Sequence, residues 1–171
     1  FDTKLGANLE EMIFELKENQ LMMNDLGLAF SGDVAMPAED IDMNLTFATT
    51  NTSFKTLLSM VPAVYMQGYE DLQTSGNLLL EGEVNGTYNA AEELLPSAKV
   101  KLSVQDGRIS YPDLPKSIEQ IAIDLQVDMN GVDLDKTTVN LSKFHFALGT
   151  NPFDIFAHVS TRISDPGMMA G

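Results

Sequence analysis

The first residues to test for chemistry are His145 and His158, the only two histidines of the chain. Each lies between apolar neighbours, in FHF and AHV, so each falls on the polar face of an alternating strand as a solvated imidazole rather than a poised base. Glu92 and Glu93 stand side by side as an acid–base pair might. Adjacent loop residues point apart, however, and no third group completes them, so both are expected in solvent. The run DMNGVDLD, Asp128 to Asp135, has the oxygen density of a calcium loop. Its Gly131 stands fourth rather than sixth, and Val139 occupies the place of the bidentate Glu, so a hairpin turn is the better reading. Asn-x-Ser/Thr sequons occur at Asn44, Asn51, Asn85 and Asn140, two of them inside strands, where glycan attachment is disfavoured. Nucleophile elbows, phosphate loops, dinucleotide fingerprints and zinc-protease helices are absent from the sequence. The expectation is therefore a protein that is not an enzyme, with no catalytic residues, no metal site and no cofactor.

Composition narrows the partners. Acidic residues number 25 against 10 basic ones, a net charge of -15, and the basic residues never cluster, so nucleic acid is not an expected partner. With 171 residues and 44% apolar content the chain can bury one core, and a single domain over 1–171 is expected. Cysteine is absent, which fits a reducing or an oxidising compartment. No apolar window is long enough for a membrane helix. Because Phe1 rather than Met stands first, the sequence is expected to be a piece of a longer chain.

The elements that must position these residues are strands. In IAIDLQVDM, Ile121, Ile123, Leu125, Val127 and Met129 face one way and Ala122, Asp124, Gln126 and Asp128 the other. The same period of two runs through Met12 to Leu16, Ile41 to Phe47, Val100 to Val104 and Phe153 to Val159. Turns are expected at Glu18–Gln20, Asn85–Gly86, Asp106–Gly107 and Asn130–Gly131, so consecutive strands should pair antiparallel. The apolar phase slips between Met23 and Leu26 and between Leu141 and Phe144, which predicts bulges near Asn24 and Ser142. Two hairpins repeat one another: Gly32, Val34, Pro37 and then Ile41, Met43, Leu45 against Gly107, Ile109, Pro112 and then Ile121, Ile123, Leu125. Gly32 and Gly107 are expected to hold positive φ. Phe54, Leu57, Leu58 and Val61 share one face of a short helix from Phe54 to Met60, led by Asn51–Ser53 and stopped by Pro62. Ala90–Ala98 reads as a loop or a single helical turn. The fold class is thus mainly β: a curved, strongly twisted antiparallel sheet of about ten strands, forming a groove or a two-layer β fold, with one short amphipathic helix. Order is expected over about 8–166, with a frayed tail over 164–171.

Three stretches carry a family resemblance. They are the helix ending in LLSMVP, the T-S-G-x-L-x-L-x-G-x-V-x-G-x-Y run from Thr74 to Tyr88, and the G-x-I-x-Y-P-D-L-P hairpin from Gly107 to Pro115. Together with NLSKFHFALGTNPFDIFAHVSTRISDP they resemble the C-terminal region of AsmA-family proteins, over about Asn8 to Pro166. The resemblance implies a Gram-negative cell-envelope protein in the periplasm, its parent chain anchored in the inner membrane. It further implies an elongated β-groove carrying phospholipid acyl chains toward the outer membrane, with a role in outer-membrane biogenesis. Its partners would be acyl chains, other segments of the parent chain and envelope proteins. With the one-sided alternation, it nominates Ile41, Met43, Leu45, Ile121, Ile123, Leu125, Phe144, Phe146, Phe153 and Ile155 as lipid-facing, and Phe54, Leu57, Leu58 and Val61 as a helical plug. The alternative is a structural or protein-binding β domain whose apolar face is simply its own core.

Overall fold

The computed structural model describes residues 4–59, 71–111, 116–162 and 165–170. Alternating sequence becomes strand throughout: β1 (Leu5–Asn8), β2 (Ile13–Met23), β3 (Leu26–Ala35), β4 (Ile41–Thr49), β5 (Gln73–Tyr88), β6 (Ser97–Ser110), β7 (Ile118–Met129), β8 (Thr137–Leu148), β9 (Asn151–Arg162) and β10 (Asp165–Ala170). Each strand pairs antiparallel with the next, so the spatial order is the chain order, β1 to β10, in one sheet. β1 and β10 are its two free edges, and the sheet does not close into a barrel. Among the described residues no second sheet packs on it, so of the two expected arrangements the open single sheet is the one formed. Among the described residues one α-helix, α1 (Phe54–Leu58), lies between β4 and β5. It begins as its sequence predicts: the Asn51 side-chain oxygen accepts the Ser53 N–H at 2.9 Å, and the Thr56 hydroxyl donates to the Ser53 carbonyl at 2.7 Å. Met60, Val61 and Pro62, the expected end of the helix, lie outside the described residues, as do Pro112–Pro115 of the second repeated hairpin.

At β2 the turn and the bulge are exchanged relative to the sequence reading. Asn24 and Asp25 form the two-residue connection from β2 to β3, closing on the pair Met23↔Leu26, with Asn24 at φ 53. A left-handed asparagine in a two-residue hairpin loop accounts for the phase slip without a bulge. The bulge lies earlier. Pairing steps from Leu16↔Gly32 to Asn19↔Phe30, three residues on β2 against two on β3, with Glu18 at φ 52. This turns Asn19 inward, where it is fully buried. Its Oδ1 accepts the Lys4 N–H at 2.7 Å while the Lys17 N–H donates to the Lys4 carbonyl at 3.0 Å, so the bulge grips the start of β1. The Lys4 ammonium, 2.8 Å from Glu18, holds that carboxylate below its usual range, and Lys17 does the same to Glu15. Both pairs are fully exposed and add little to stability.

Two other expected turns lie inside strands. Asn85–Gly86 is within β5, opposite Asn44 and Met43. Asp106–Gly107 is a bulge within β6, where pairing with β7 steps from Val104↔Ile123 to Gly107↔Ile121 and Asp106 takes φ 51. The left-handed preference of the Asp-Gly pair is satisfied, but by a bulge residue. Gly107 itself has no positive φ. It is glycine because a Cβ there would stand 2.8 Å from the Ile121 Cβ and 3.2 Å from the Val104 Cγ1. Gly32 does have positive φ, at 138, yet within β3 and pressed against the Asn44 carbonyl, not in a turn.

The remaining expectations divide. Asn130–Gly131 opens the β7–β8 connection: Asn130 Oδ1 accepts from the Val132 and Asp133 N–H groups, and Asp133 caps a short 3-10 helix, Leu134–Lys136. Two of the side chains that suggested calcium, Asn130 and Asp133, thus serve their own backbone. Ala90–Ala98 is largely a loop, tied by reciprocal Asn89–Leu94 backbone hydrogen bonds, with β6 already begun at Ser97. Ser142 is the extra residue of a bulge, since Asp124 pairs with Lys143 and Leu125 with Leu141. The tail expected to fray is instead the edge strand β10, whose backbone pairs with β9 from Asp165↔Arg162 to Ala170↔Ala157. Order also begins earlier than expected, with β1 at Leu5.

Gly107→Ala should cost about 1–3 kcal/mol through overpacking against Ile121 and Val104, read as a lowered urea midpoint; an unchanged midpoint would contradict the close approach. Deleting Ser142 should be more damaging than replacing it with Ala: deletion puts Phe144 in regular phase with Leu141, but it removes the bulge around which the ladders to β7 and β9 are built. Equal midpoints for the two variants would show that the bulge does not set the register.

Candidate functional site

Residues paired across an antiparallel sheet share a face, so the register alone assembles a surface. One row reads Phe30, Phe47, Gly82, Val100, Val127, Val139, Val159 from β3 to β9. The next reads Leu80, Leu102, Leu125, Leu141, Ala157, and the one after it Leu78, Val104, Ile123, Phe144, Ile155. On the far side of the first row lies Leu16, Gly32, Leu45, Val84, Ala98, Met129. These rows form one hydrocarbon face. The reverse face carries the ladders Glu83–Lys99 and Glu81–Lys101, with ion pairs of 3.1 and 3.7 Å, and the Ser103–Asp124 hydrogen bond of 3.0 Å. His145 is on that polar face, 2.7 Å from Asp154, and His158 is exposed there opposite Asn140. Glu92 and Glu93 are exposed, as expected.

All ten nominated residues lie on the apolar face, in two groups. Ile41, Met43 and Leu45 pair with Tyr88, Gly86 and Val84 on the β4 side. The other group is compact: Ile123 pairs with Phe144, Leu125 with Leu141, Phe144 with Ile155, and Phe146 stacks on Phe153 with centroids 4.9 Å apart. The valine and leucine rows on β5 and β6 separate the groups. Leu78, Leu80, Val84 and Val104 were not singled out as site residues, although they belong to the same face. The signal of the first three is the alternation in NLLLEGEV, blurred by Leu79, which breaks the pattern from the polar side; that of Val104 is the alternation from Val100 to Val104.

Among the described residues, cover lies at one end. Leu26, Phe54, Leu78, Val104 and Ile121 make a buried cluster, with Phe54 of α1 only 4% exposed. Of the four residues nominated as a plug, Phe54 belongs to this cluster; the side chains of Leu57 and Leu58, and all of Val61, lie outside the described residues. The α1 segment is held by the Thr52 carbonyl, which accepts from Leu78, and by Ser59, whose carbonyl accepts from the Asn24 amide and whose hydroxyl accepts from the Asp25 N–H. Beneath Phe54 lies a cavity of about 180 Å³ walled by Ile109, Ile118, Ile121, Ile123, Phe144 and Phe146. Away from α1 the rows are only half-buried, and Phe153 and Ile155 are 44% and 41% exposed. Among the described residues no cluster of acidic and histidine side chains is placed to hold a metal, and no helix is long and apolar enough to cross a membrane. The arrangement offers an apolar surface suited to hydrocarbon.

No protein-family model, curated protein or solved structure matches the chain.

The uneven cover has a direct consequence for stability. Phe54→Ala should cost about 3–5 kcal/mol, whereas Phe153→Ala, on the same face but open, should cost about 1 kcal/mol from its stacking on Phe146. Denaturant titration of the two variants checks this, and comparable losses would mean that the whole face is packed.

Proposed function

We propose that this chain is a segment of an envelope lipid-transport protein, carrying phospholipid acyl chains along its apolar face rather than catalysing a reaction. The observation that carries the reading is the continuity of the hydrocarbon rows from β3 to β9, which among the described residues are covered by α1 at one end. A monomeric protein seldom leaves so contiguous an apolar surface open unless something occupies it. An open meander suits a conduit, since each added hairpin lengthens the surface without changing its cross-section. The AsmA-like stretches from Thr74 to Tyr88 and around Gly107 support a periplasmic position within a parent chain anchored in the inner membrane. On this reading the acyl chains move toward the outer membrane, and neighbouring segments of the parent chain and other envelope proteins continue the path. Lipid would be held by its chains, at about 0.8 kcal/mol per buried methylene, and headgroup selectivity would be weak.

A second reading, a structural or protein-binding β domain, is favoured by the buried cluster under α1, which is a small core in its own right.

Photocrosslinking separates the two. Probes placed at Leu125 and Ile155 on the apolar face, in protein purified from bacterial cells without detergent, should label phospholipid, while probes at Gln126 and Lys143 on the polar face should not. Equal labelling of the two faces, or none on either, would remove the case for transport and leave the structural reading.

A further inference from the structure

The cavity under α1 differs from the open rows beside it. It is lined by isoleucine and phenylalanine, without a polar side chain, is partly open to the surface, and is bordered by Phe54 of the helix. Its volume of about 180 Å³ is close to that of apolar spaces, roughly 150 Å³, that accept a benzene-sized guest. Water gains nothing by entering, because no wall residue offers it a hydrogen bond. Hydrocarbon gains dispersion contacts that the empty space forfeits.

Its position is equally informative. Ile123 and Phe144 in its wall belong to the row that ends at Ile155, and Phe146 stacks on Phe153, so the cavity adjoins exposed hydrocarbon on β9. A chain lying on the open rows could therefore turn its end into this space without crossing a polar group. The opposite wall is fixed: Gly107 lies against Ile121 with no room for a methyl group, and Gly76 is equally close to Gly107. Among the described residues, strand side chains bound the cavity on one side and the Phe54 ring borders it from the helix.

From this we infer that the cavity seats the terminal methylenes of an acyl chain, with Phe54 as the stop that sets which chain lengths fit. The inference rests on the lipid reading above and adds a length preference to it. Each methylene seated in place of solvent is worth about fourfold in binding, so a chain that reaches the stop is favoured over one that falls short. A longer chain must leave its end on the open rows.

The test uses the purified chain, delipidated and then exposed to phosphatidylglycerol vesicles with equal amounts of lauroyl, myristoyl, palmitoyl and stearoyl chains. Bound lipid is identified by native mass spectrometry. The unmodified chain should select one length over its neighbours by several-fold. Phe54→Leu, mild enough to keep the fold, should shift the preference to longer chains, and Ile118→Phe, which fills the cavity from the strand side, should shift it to shorter ones. Lipid bound without length preference, or a preference that neither variant moves, overturns the stop while leaving the lipid reading intact. No lipid bound by any of the three proteins overturns both.

Discussion

Cross-strand register is the constraint on which the rest of the structure depends. With ten strands in one layer, a one-residue slip anywhere would turn half a strand's hydrocarbon to the polar side. The chain instead corrects its phase locally, and by the same device each time. Apolar-face positions are separated by three residues rather than two at Leu16–Asn19, Val104–Gly107, Ile118–Ile121 and Leu141–Phe144, and a bulge absorbs the extra residue in every case. Glu18, Asp106 and Gln120 take left-handed backbone at three of these sites. Such residues cost about 1 kcal/mol or more, which is tolerable only because each restores a whole run of face-to-face pairs. Bulges also sharpen local twist, so the devices that keep the face continuous are the ones that bend it.

How much of this could be read in advance depends on what occupies the phase-shifting positions. Leu141 and Phe144 are both strongly apolar, so their three-residue spacing showed, and the bulge at Ser142 could be located. At β2 and β6 the far partner of the spacing is Asn19 or Gly107. Neither registers as apolar, and the shift was mistaken for a turn. Asn19 is inward because its side chain caps the Lys4 backbone, a long-range contact that no local pattern announces. The Asp-Gly and Asn-Gly pairs misled for a related reason: they report a local conformational preference, and a bulge or a close approach uses that preference as readily as a hairpin does. Strand content and the helix at Phe54 were legible because they rest on periodicity; antiparallel order was read from turn pairs, of which only Asn130–Gly131 lies in a connection. The membership of the nominated face was legible too, since alternation assigns sides. Which part of that face is covered was not, because cover depends on where α1 docks.

That docking divides the face into two physical regimes. Under α1, Leu26, Leu78, Val104 and Ile121 are excluded from water by protein, and this patch behaves as an ordinary core. Beyond it the valine and leucine rows are only half-buried. The anchorage of α1 through Thr52 and Ser59 fixes it at the end of the sheet where the β2–β3 turn lies. Among the described residues the half-exposed rows follow from topology: a meander with every strand beside its chain neighbour places all ten strands in one layer.

Charge bears on what could cover those rows. The chain carries -15, and Lys99 and Lys101 on the polar face are engaged with Glu83 and Glu81. The rows of the apolar face carry no basic side chain for an anionic headgroup. Exposed ion pairs of that kind are worth at most about 1 kcal/mol, whereas a few methylenes laid along the leucine row would exceed that through burial alone. On the lipid reading the two faces have separate tasks, one keeping the sheet hydrated, the other offering hydrocarbon to hydrocarbon. Because register ties each side chain to its face, neither task can be altered at one strand without disturbing the row that crosses its neighbours.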